Sequence, residues 1–352
     1  MASNRKSALI TGITGQDGSL LAKKLVDEGF EVSGTFRRGS GDNLWRLKEM
    51  GILNSEDVTL HEHEIGGNST SLFKLLSNNF DYIFHLAGDS FTQDSFLHPS
   101  KTINTNVQGY LEILETLVAV SSSSKVFAAC SSEIFGRQPA EELLVNEESK
   151  KNPINPYGIS HAAILSLSDM FRSVYSQFIS VGILFNHESE YRGEQFLTRK
   201  ISKGLAFIKT GFNKPIEVGN LDASRDWGSA AEFTGVFRDI LDHSSPEDFV
   251  IATGRTVKVR DIVIAGALSL GFQPEFQGIG MNENCIDRKS GKILLKVSDK
   301  YMRKVESPSL VGNTQKIRNH TKWTAQVPIE SVIQKMCEAD LNRMGFEGQL
   351  YS

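Results

Sequence analysis

Two stretches of the chain carry side chains that could move protons. Ser131 and Glu133 follow an apolar run, and Tyr157 opens a predicted helix with His161 one turn later. Residues four apart share a helix face, so His161 can lie beside Tyr157. A tyrosine works as an acid or base only if its pKa, about 10 in water, is brought toward neutrality. Together these residues predict proton-transfer chemistry, although each alone fits an ordinary packing or surface role.

The segment from Lys6 to Arg38 predicts an anion site for that chemistry. An apolar run is followed by Gly12, Gly15 and Gly18, and then by leucines at helical spacing. Glycines let backbone amides approach a pyrophosphate, and the positive end of the following helix attracts the same anion. The spacing Gly-x-x-Gly-x-x-Gly has one residue more in its first gap than the ordinary dinucleotide fingerprint.

A basic pair, Arg37 and Arg38, follows the second predicted strand. Chains that bind NAD carry an acidic residue there for the ribose 2′-hydroxyl, whereas an arginine can pair with a 2′-phosphate. The pair therefore predicts NADP as the cofactor. The alternative is a solvated basic pair on the surface.

Strands and helices alternate through the first half of the chain, which predicts an α/β fold with a Rossmann-type, doubly wound parallel sheet. Ligands of such sheets bind beyond the carboxyl ends of the strands, where small residues such as Gly88 make room. The predicted strands are Ala8–Ile10, Glu31–Phe36, Val58–Ile65, Tyr82–Gly88, Lys125–Cys130 and Ile179–Phe185, and the longer predicted helices are Leu20–Val26, Ser69–Asn78, Thr102–Val120 and one beginning near Tyr157.

The alternation loosens after about residue 186, which predicts two domains. Residues 1–185 form the NADP-binding Rossmann domain, with later segments near 219–245 returning to it. Residues 186–352 form mainly a smaller C-terminal substrate-binding lobe.

Composition narrows the class of protein. The net charge is −4 and the pI is near 6.1, which argues against nucleic acid or an anionic membrane as a partner. The start of the chain lacks a signal-peptide core, no apolar run spans a bilayer, and the three scattered cysteines fit a reducing compartment. We therefore expect a cytoplasmic protein. His61 and His63 share a strand face, but no further ligand cluster follows them, so no metal is predicted.

The chain resembles the extended short-chain dehydrogenase/reductase superfamily and, within it, the GDP-mannose 4,6-dehydratase family. The similarity runs almost from end to end, and two of its blocks are specific to the dehydratases. The matching segments are ALITGITGQDGS at 8–19, RRGSGDNLWRL at 37–47, SSEIFG at 131–136, NPYG at 155–158, GILFNHES at 182–189, RG and TRKIS within 192–202, GNLDASRDWG at 219–228 and KYMRKVE at 300–306.

The resemblance implies a role for each matched residue, with NADP as cofactor and a GDP-sugar as substrate. Asn43 and Arg46 match a loop that reaches a neighbouring subunit, which implies a homodimer or homotetramer formed through Arg37–Leu47. The implied catalytic residues are Ser131, Glu133, Tyr157 and His161; the cofactor residues are Gly12, Gly15, Gln16, Asp17, Gly18, Arg37, Glu64, Leu86, Gly88, Tyr157, His161, His187 and Arg192; and the substrate residues are Ser90, Asn186, Lys200, Arg225, Arg303 and Glu306.

The chemistry implied by the resemblance converts GDP-mannose to GDP-4-keto-6-deoxymannose. Tyr157 removes the C4 hydroxyl proton while hydride passes to NADP, and the resulting ketone acidifies C5–H. Glu133 then moves the C5 proton to the departing C6 hydroxyl, and hydride returns to C6. Ser131, where the family has threonine, hydrogen-bonds the C4 oxygen.

Two positions depart from the family. His161 replaces the lysine of Tyr-x-x-x-Lys, and a neutral imidazole lacks the charge that lowers the tyrosine pKa. Asp89 stands where the family has glutamine. Two alternatives therefore stay open beside the dehydratase: another GDP-sugar oxidoreductase or epimerase, and a catalytically silent homologue that binds NADP and a GDP-sugar.

Overall fold

The structure, a computed structural model, describes residues 5–37, 39, 41–66, 69–302 and 308–350. Its strands are β1 Ser7–Thr11, β2 Glu31–Phe36, β3 Val58–Glu62, β4 Tyr82–His85, β5 Lys125–Ser131, β6 Leu144–Val145, β7 Ile179–Leu184, β8 Asn186–Glu188, β9 Ile216–Val218, β10 Ser224–Arg225, β11 Trp227–Ser229, β12 Asp248–Ile251, β13 Val257–Lys258, β14 Pro274–Gln277, β15 Asn284–Asp287, β16 Ile293–Val297 and β17 Val311–Gly312.

Helices precede or follow most of these strands. They are α1 Gln16–Asp27, α2 Trp45–Glu49, α3 Ser69–Leu76, α4 Thr92–Leu97, α5 Pro99–Ile103, α6 Gly109–Ala119, α7 Pro156–Tyr175, α8 Leu197–Lys209, α9 Ala230–Gly235, α10 Phe237–Leu241, α11 Val259–Ser269, α12 Gln315–Thr321 and α13 Ile329–Leu350. A π turn spans Asn104–Gln108, and short 3-10 turns span Gly41–Leu44, Ser132–Ile134, Gly280–Asn282 and Asp299–Tyr301. Within the described ranges, no helix is long and apolar enough to cross a membrane.

The chain forms two compact units. The first comprises Met1–Phe185, Ala230–Ala252 and Gly312–Thr324, and the second comprises Asn186–Ser229, Thr253–Val311 and Ala325–Ser352. The segments that return to the first unit are therefore 230–252 and 312–324, whereas 219–229 belong to the second. The substrate-binding role of the second unit stays a prediction.

A seven-stranded parallel sheet organises the first unit, in the order β12-β7-β5-β4-β1-β2-β3. All six residues of β7 and all four of β4 are buried, which is typical of parallel strands covered by helices on both faces. The predicted doubly wound sheet is confirmed. Strand order reverses between β1 and β4, and ligands of such sheets bind at that reversal, beyond the carboxyl ends.

Aromatic side chains fill one face of the sheet. The rings of Phe127 and Phe237 stack with centroids 4.1 Å apart, and Phe84 lies 6.3 Å from Phe127. Gly182 makes room for this packing, since a Cβ there would lie 2.5 Å from Phe127 Cζ. Each buried phenylalanine contributes about 1.5–3 kcal/mol to folding, so this stack holds α10 against the sheet.

The structure is helical over nearly all of the predicted range Thr102–Val120, but the helix contains a π turn that the sequence did not predict. α5 passes into the π turn Asn104–Gln108 before α6 begins at Gly109. A Cβ on Gly109 would lie 1.6 Å from Ile65 Cγ2, so this point of the helix packs directly on the segment after β3. A tertiary contact therefore lies next to the π turn. The spacing of apolar residues in the sequence continues through the turn and does not indicate it.

The second unit has its own sheet and buried core. Strands β14, β15, β16 and β9 form a four-stranded sheet, and β8 pairs in parallel with β11. Arg199 of α8 and Asp340 of α13 are both almost fully buried, with Nη2 and Oδ1 2.6 Å apart. Arg199 Nη1 also donates to the carbonyl oxygens of Glu190 and Arg192. This ion pair therefore fixes the loop that carries Arg192 to the helices beneath it.

Candidate active site

The glycine turn between β1 and α1 tolerates no side chain at two of its positions. Gly12 has φ +73°, and a Cβ there would lie 2.9 Å from Ala87 Cα. A Cβ on Gly18 would lie 2.3 Å from the Gly12 carbonyl oxygen, which is backbone and cannot move aside. Gly15, exposed, stands at the N-cap of α1 in extended conformation. The turn therefore presents backbone to any ligand at the helix N-terminus.

The other predicted residues of the cofactor's phosphates and adenosine lie at the same edge of the sheet. Gln16 is buried and donates to Asp17 Oδ1 over 3.0 Å. Arg37 directly follows β2, and Glu64 lies two residues beyond β3; both are exposed. Their exposure leaves both side chains accessible to a ligand, and their roles stay predictions. Arg38 lies outside the described residues.

Arg46 is hydrogen-bonded to the glycine turn of its own chain. Its guanidinium is buried, and Nη1 donates to the Thr14 carbonyl oxygen over 3.0 Å and to Asn43 Oδ1 over 3.2 Å. The hydrogen bond to Thr14 supports the turn from behind. An oligomer formed through Arg37–Leu47 stays a prediction.

The loop after β4 closes the next side of the site. Thr11 Oγ1 accepts hydrogen bonds from the amides of Leu86 and Ala87, so its own hydroxyl proton goes to His85 Nδ1, 3.0 Å away. His85 therefore accepts at Nδ1, and burial lowers its pKa to about 4. Ser90, predicted to contact substrate, is exposed farther along the loop.

Asn106 of the π turn is a positioning residue that the sequence did not single out. It is 1% exposed, its Oδ1 accepts from the Asp89 amide, and its Nδ2 donates to the Asp89 carbonyl oxygen and to Ser160 Oγ. A Cβ on Gly88 would approach that Oδ1 to 2.9 Å. The one available signal was an amide in the middle of an otherwise amphipathic helix. π turns often mark functional sites, and this one joins the loop after β4 to α7.

Asp89, the second departure from the family, forms a partly exposed ion pair. Its Oδ2 lies 3.5 Å from Lys101 Nζ. The carboxylate is therefore balanced by a cation of the same unit, on α5.

Ser131 and Glu133 stand where β5 ends, and an asparagine orients the glutamate. Ser131 Oγ accepts from the Glu133 amide over 3.3 Å. Asn155 Nδ2 donates to Glu133 Oε2 over 2.7 Å, while Asn155 Oδ1 caps α7 by accepting from the Gly158 amide. Gly158 lets the helix approach, because a Cβ there would lie 2.6 Å from the Glu133 carbonyl oxygen. One side chain thus sets the start of α7 and the direction of the carboxylate.

Tyr157 and His161 lie side by side on α7, as the spacing of four predicts. Their ring centroids are 4.4 Å apart in an edge-on arrangement. His161 Nδ1 is buried without a hydrogen-bond partner among the described residues. A ribose hydroxyl would satisfy that nitrogen, so the residues present fit a nicotinamide riboside at this place.

The electrostatic environment of His161 keeps its imidazole neutral. Burial lowers the pKa of His161 to about 3, and nearby His85 adds a smaller contribution in the same direction. The sequence alone predicts a mostly neutral ring at pH 7, and the structure strengthens that expectation. No positive charge from this position therefore supports ionisation of Tyr157.

Apart from Ser90, the described residues predicted to hold substrate lie in the second unit, as do two of the predicted cofactor residues, His187 and Arg192. Asn186 and His187 belong to β8, and His187 is buried. Arg192 Nε lies 3.1 Å from Glu188 Oε2, and its guanidinium lies over the Phe196 ring. Both contacts fix the orientation of Arg192.

Two further predicted substrate residues offer positive charge. Lys200 Nζ lies 3.0 Å from the centroid of the Tyr301 ring, and burial lowers the Lys200 pKa. Arg225 of β10 donates from Nη1 to the Ser224 carbonyl oxygen. Arg303 and Glu306, also predicted to contact substrate, lie outside the described residues.

The two strand histidines considered as metal ligands are engaged with hydroxyl groups. His61 Nε2 lies 3.4 Å from Ser33 Oγ, and His63 Nδ1 lies 3.0 Å from Ser71 Oγ. Burial lowers the pKa of both. The two rings therefore have separate serine partners.

The fold and the site define the class of protein. A parallel sheet with a glycine turn at its switch point, a Ser-x-Glu turn after β5 and a tyrosine at the start of α7 are the arrangement of a short-chain dehydrogenase/reductase. A family model described as GDP-mannose 4,6 dehydratase matches residues 9–336. The chain belongs to that family.

Curated relatives cover nearly the whole chain. GDP-mannose 4,6 dehydratase 2 of Caenorhabditis elegans is 36% identical over 348 residues, 97% of this chain and 90% of the relative. GDP-mannose 4,6-dehydratase of Vibrio cholerae serotype O1 is 34% identical and covers 97% of this chain and 95% of its own. The human enzyme of the same name is also 34% identical, over 98% and 94%.

Solved structures share the fold at lower identity. The structure of RMD from Pseudomonas aeruginosa complexed with NADPH is 20% identical with a TM-score of 0.75, and covers 96% of this chain and 98% of its own. A dTDP-glucose 4,6-dehydratase from Bacillus anthracis in complex with NAD is 17% identical with a TM-score of 0.78, over 97% and 98%. These matches support the fold alone.

Proposed function

We propose that this protein is a GDP-sugar 4,6-dehydratase that converts GDP-mannose to GDP-4-keto-6-deoxymannose. The observation that carries the proposal is the arrangement of Glu133, Asn155 and Tyr157 at the end of β5, in a chain that belongs to the dehydratase family over most of its length. A base for the C4 hydroxyl and a second acid–base group for C5 and C6 are the minimum that elimination of water across C5 and C6 requires.

Each side chain has a distinct task in this proposal. Tyr157 accepts the C4 hydroxyl proton, and Ser131 hydrogen-bonds the C4 oxygen. Glu133 removes the C5 proton and delivers a proton to the leaving C6 oxygen. Asn155 keeps the carboxylate turned toward the sugar through its 2.7 Å hydrogen bond. Glu133 thus returns to its starting charge once water has left, and the proton that Tyr157 took from the C4 hydroxyl is the one that C5 needs when C6 is reduced.

NADP is the cofactor that we propose for the glycine turn. When bound, it supplies a hydride acceptor and donor, so the oxidation at C4 and the reduction at C6 balance. Exposed Arg37 after β2 supports a 2′-phosphate, and the unpartnered Nδ1 of His161 supports the nicotinamide ribose. Gly12 and Gly18 leave the backbone open for the pyrophosphate.

The second unit is the proposed site for the GDP moiety. Lys200 and Arg225 offer the positive charge that a diphosphate needs, and guanidinium groups give paired, charge-assisted hydrogen bonds to phosphate. We further propose that the protein forms a homo-oligomer through Arg37–Leu47, as the resemblance implies, and that it works in the cytoplasm, whose reducing conditions fit its three buried free cysteines.

Product mass tests the reaction directly. The purified protein is incubated with GDP-mannose and NADP from pH 6 to 9, and the sugar nucleotide is followed by mass spectrometry. Loss of one water without net reduction of NADP is expected. A product of unchanged mass would select an epimerase, and net NADPH formation would select an oxidoreductase.

A second candidate rests on the neutral imidazole of His161, whose pKa lies near 3. A silent homologue that binds NADP and GDP-mannose without turnover is compatible with that imidazole. Calorimetry with each ligand together with the product assay separates the cases, because the silent homologue binds both ligands but forms no product at any pH.

A further inference from the structure

Three potential metal ligands from distant parts of the sequence lie together in the first unit. His243 follows α10, Glu247 immediately precedes β12, and His320 belongs to the last turn of α12. One ligand atom from each residue lies within 4.8 Å of the other two. All three side chains are partly buried, and His320 and Glu247 are 23% and 32% exposed, so a dissolved ion has access.

The hydrogen bonds of His320 fix which nitrogen is free. Nδ1 lies 2.9 Å from the Lys316 carbonyl oxygen, which can only accept, so Nδ1 carries a proton. Nε2 of a neutral ring then directs a lone pair at Glu247 Oε1, 3.3 Å away. Two acceptors face each other, and only a proton or a cation between them makes the contact favourable.

The spacing fits a metal ion. Zinc bonds to imidazole nitrogen and carboxylate oxygen of about 2.0–2.1 Å in tetrahedral geometry place neighbouring ligand atoms roughly 3.3–3.4 Å apart. The Nε2 to Oε1 separation of 3.3 Å already has that value. The three ligand atoms lie within 4.8 Å of one another, so binding would bring the ligand atom of His243 closer to the other two through a change of its side-chain conformation.

The surrounding groups are arranged as an outer shell of partners. Glu247 Oε2 pairs with Lys316 Nζ at 2.9 Å, which leaves Oε1 for the ion. The Lys316 carbonyl oxygen orients His320, as outer-shell carbonyls do for metal-bound histidines. His243 Nδ1 is buried without a hydrogen-bond partner among the described residues. The positive charge of Lys316 opposes the binding of a cation, but the Glu247 carboxylate balances that charge.

We propose that His243, Glu247 and His320 bind a first-row divalent cation that prefers nitrogen and oxygen ligands, such as Zn²⁺. With three protein ligands, water takes the fourth position. The bound ion would link the loop between α10 and β12 to helix α12. Glu247 stands at the amino end of β12, whereas the predicted cofactor residues follow the carboxyl ends of parallel strands in the same sheet. The proposal is therefore independent of the dehydratase reaction.

Metal binding by the full-length, untagged protein is the test. After removal of metal with a chelator, Zn²⁺ is titrated by calorimetry and Co²⁺ by visible absorption. We expect one equivalent to bind in the wild type, and the thermal midpoint to rise with Zn²⁺ and return with EDTA. His320→Gln and Glu247→Gln should each lower the affinity by about 10-fold or more, since even outer-shell changes cost about 10–100-fold.

His98→Gln is the matched control, because His98 is an exposed histidine of the same unit and should leave the affinity unchanged. Circular dichroism and the metal-free thermal midpoint show whether each variant folds. Equal Zn²⁺ affinity of wild type and both folded variants would overturn the proposal. A thiolate-to-cobalt absorption band would do so as well, since it would assign the ion to cysteine.

Discussion

At the scale of single residues, we expect the charge at position 161 to govern the ionisation of Tyr157, because the two rings lie 4.4 Å apart. The His161→Lys variant should raise turnover near pH 7, since an ammonium group beside the phenol stabilises the phenolate. A shift of two to three units in the tyrosine pKa corresponds to roughly a hundred-fold or more in phenolate. The pH dependence of kcat in wild type and variant measures the effect, and the variant's profile should rise at lower pH.

His161→Met is the control for that experiment, because it replaces the imidazole ring by a side chain that carries no charge. It should leave the pH at which activity rises unchanged. An identical profile for the lysine variant and the wild type would show that charge at this position does not govern Tyr157.

His85 makes the folded chain sensitive to acid. Its pKa is about 4 when folded and about 6.5 when unfolded, so the unfolded chain binds more protons between those values. Stability should therefore fall as pH drops from about 6.5 to about 4, by roughly 3 kcal/mol from this group. In His85→Asn, Oδ1 can still accept from Thr11, and the slope of unfolding free energy against pH should flatten.

Urea unfolding between pH 4 and 7 provides those slopes. His98→Asn removes an exposed histidine and should keep the wild-type slope. If His85→Asn also kept it, the acid sensitivity would come from other groups.

At the scale of elements, the glycine turn depends on contacts that leave no space for a methyl group. Gly18→Ala would place Cβ 2.3 Å from the Gly12 carbonyl oxygen and displace the start of α1. We expect a loss of roughly 1–3 kcal/mol of stability, as for other overpacked sites, together with weaker NADP binding. Chemical denaturation and calorimetry measure the two effects.

Gly235→Ala is the control, since Gly235 lies in helix α9 and a Cβ there meets nothing within 4 Å. That variant should be neutral or more stable by about 0.4–1 kcal/mol. Equal effects of the two substitutions would contradict the steric account of the turn.

The strands of the sheet were predictable, and the π turn was not. Apolar runs such as Ile179–Leu184 predict strands that are buried on both faces. The structure buries this strand along its whole length, so the local pattern agrees with the tertiary environment. In contrast, Asn104–Gln108 departs from α-helical geometry where Asn106 bridges two other segments and Gly109 packs on Ile65. Neither contact can be predicted from the local spacing of apolar residues.

At the scale of the whole molecule, the cysteines report on global unfolding. Cys130, Cys285 and Cys337 are buried, and burial raises their pKa values to about 12, 11 and 12. Few thiolates therefore exist at pH 8 in the native protein. We expect labelling by a thiol reagent to be slow and to reach three equivalents only in denaturant. Rapid labelling of one thiol without denaturant would reveal local opening at that cysteine.

The sequence predicts contacts between residues that are close along the chain, but not contacts between distant segments. Tyr157 and His161 are four residues apart on one helix, so their contact followed from periodicity. His243, Glu247 and His320 come from segments that only the folded chain brings together. The return of 230–252 and 312–324 to the first unit depends on packing between distant segments, which no local pattern reveals.

The π turn also restricts how this chain can change in length. A π turn amounts to one extra residue accommodated within an α-helix. Deleting one residue of Asn104–Gln108 would remove the bulge and let a regular α-helix run from α5 into α6, with the faces of the flanking helices kept. The backbone around Asn106 would then change, and its side chain would lose its present hydrogen bonds to Asp89 and Ser160. An alignment gap at this point in a homologue would therefore signal a rebuilt loop after β4, even where every residue of the glycine turn is retained.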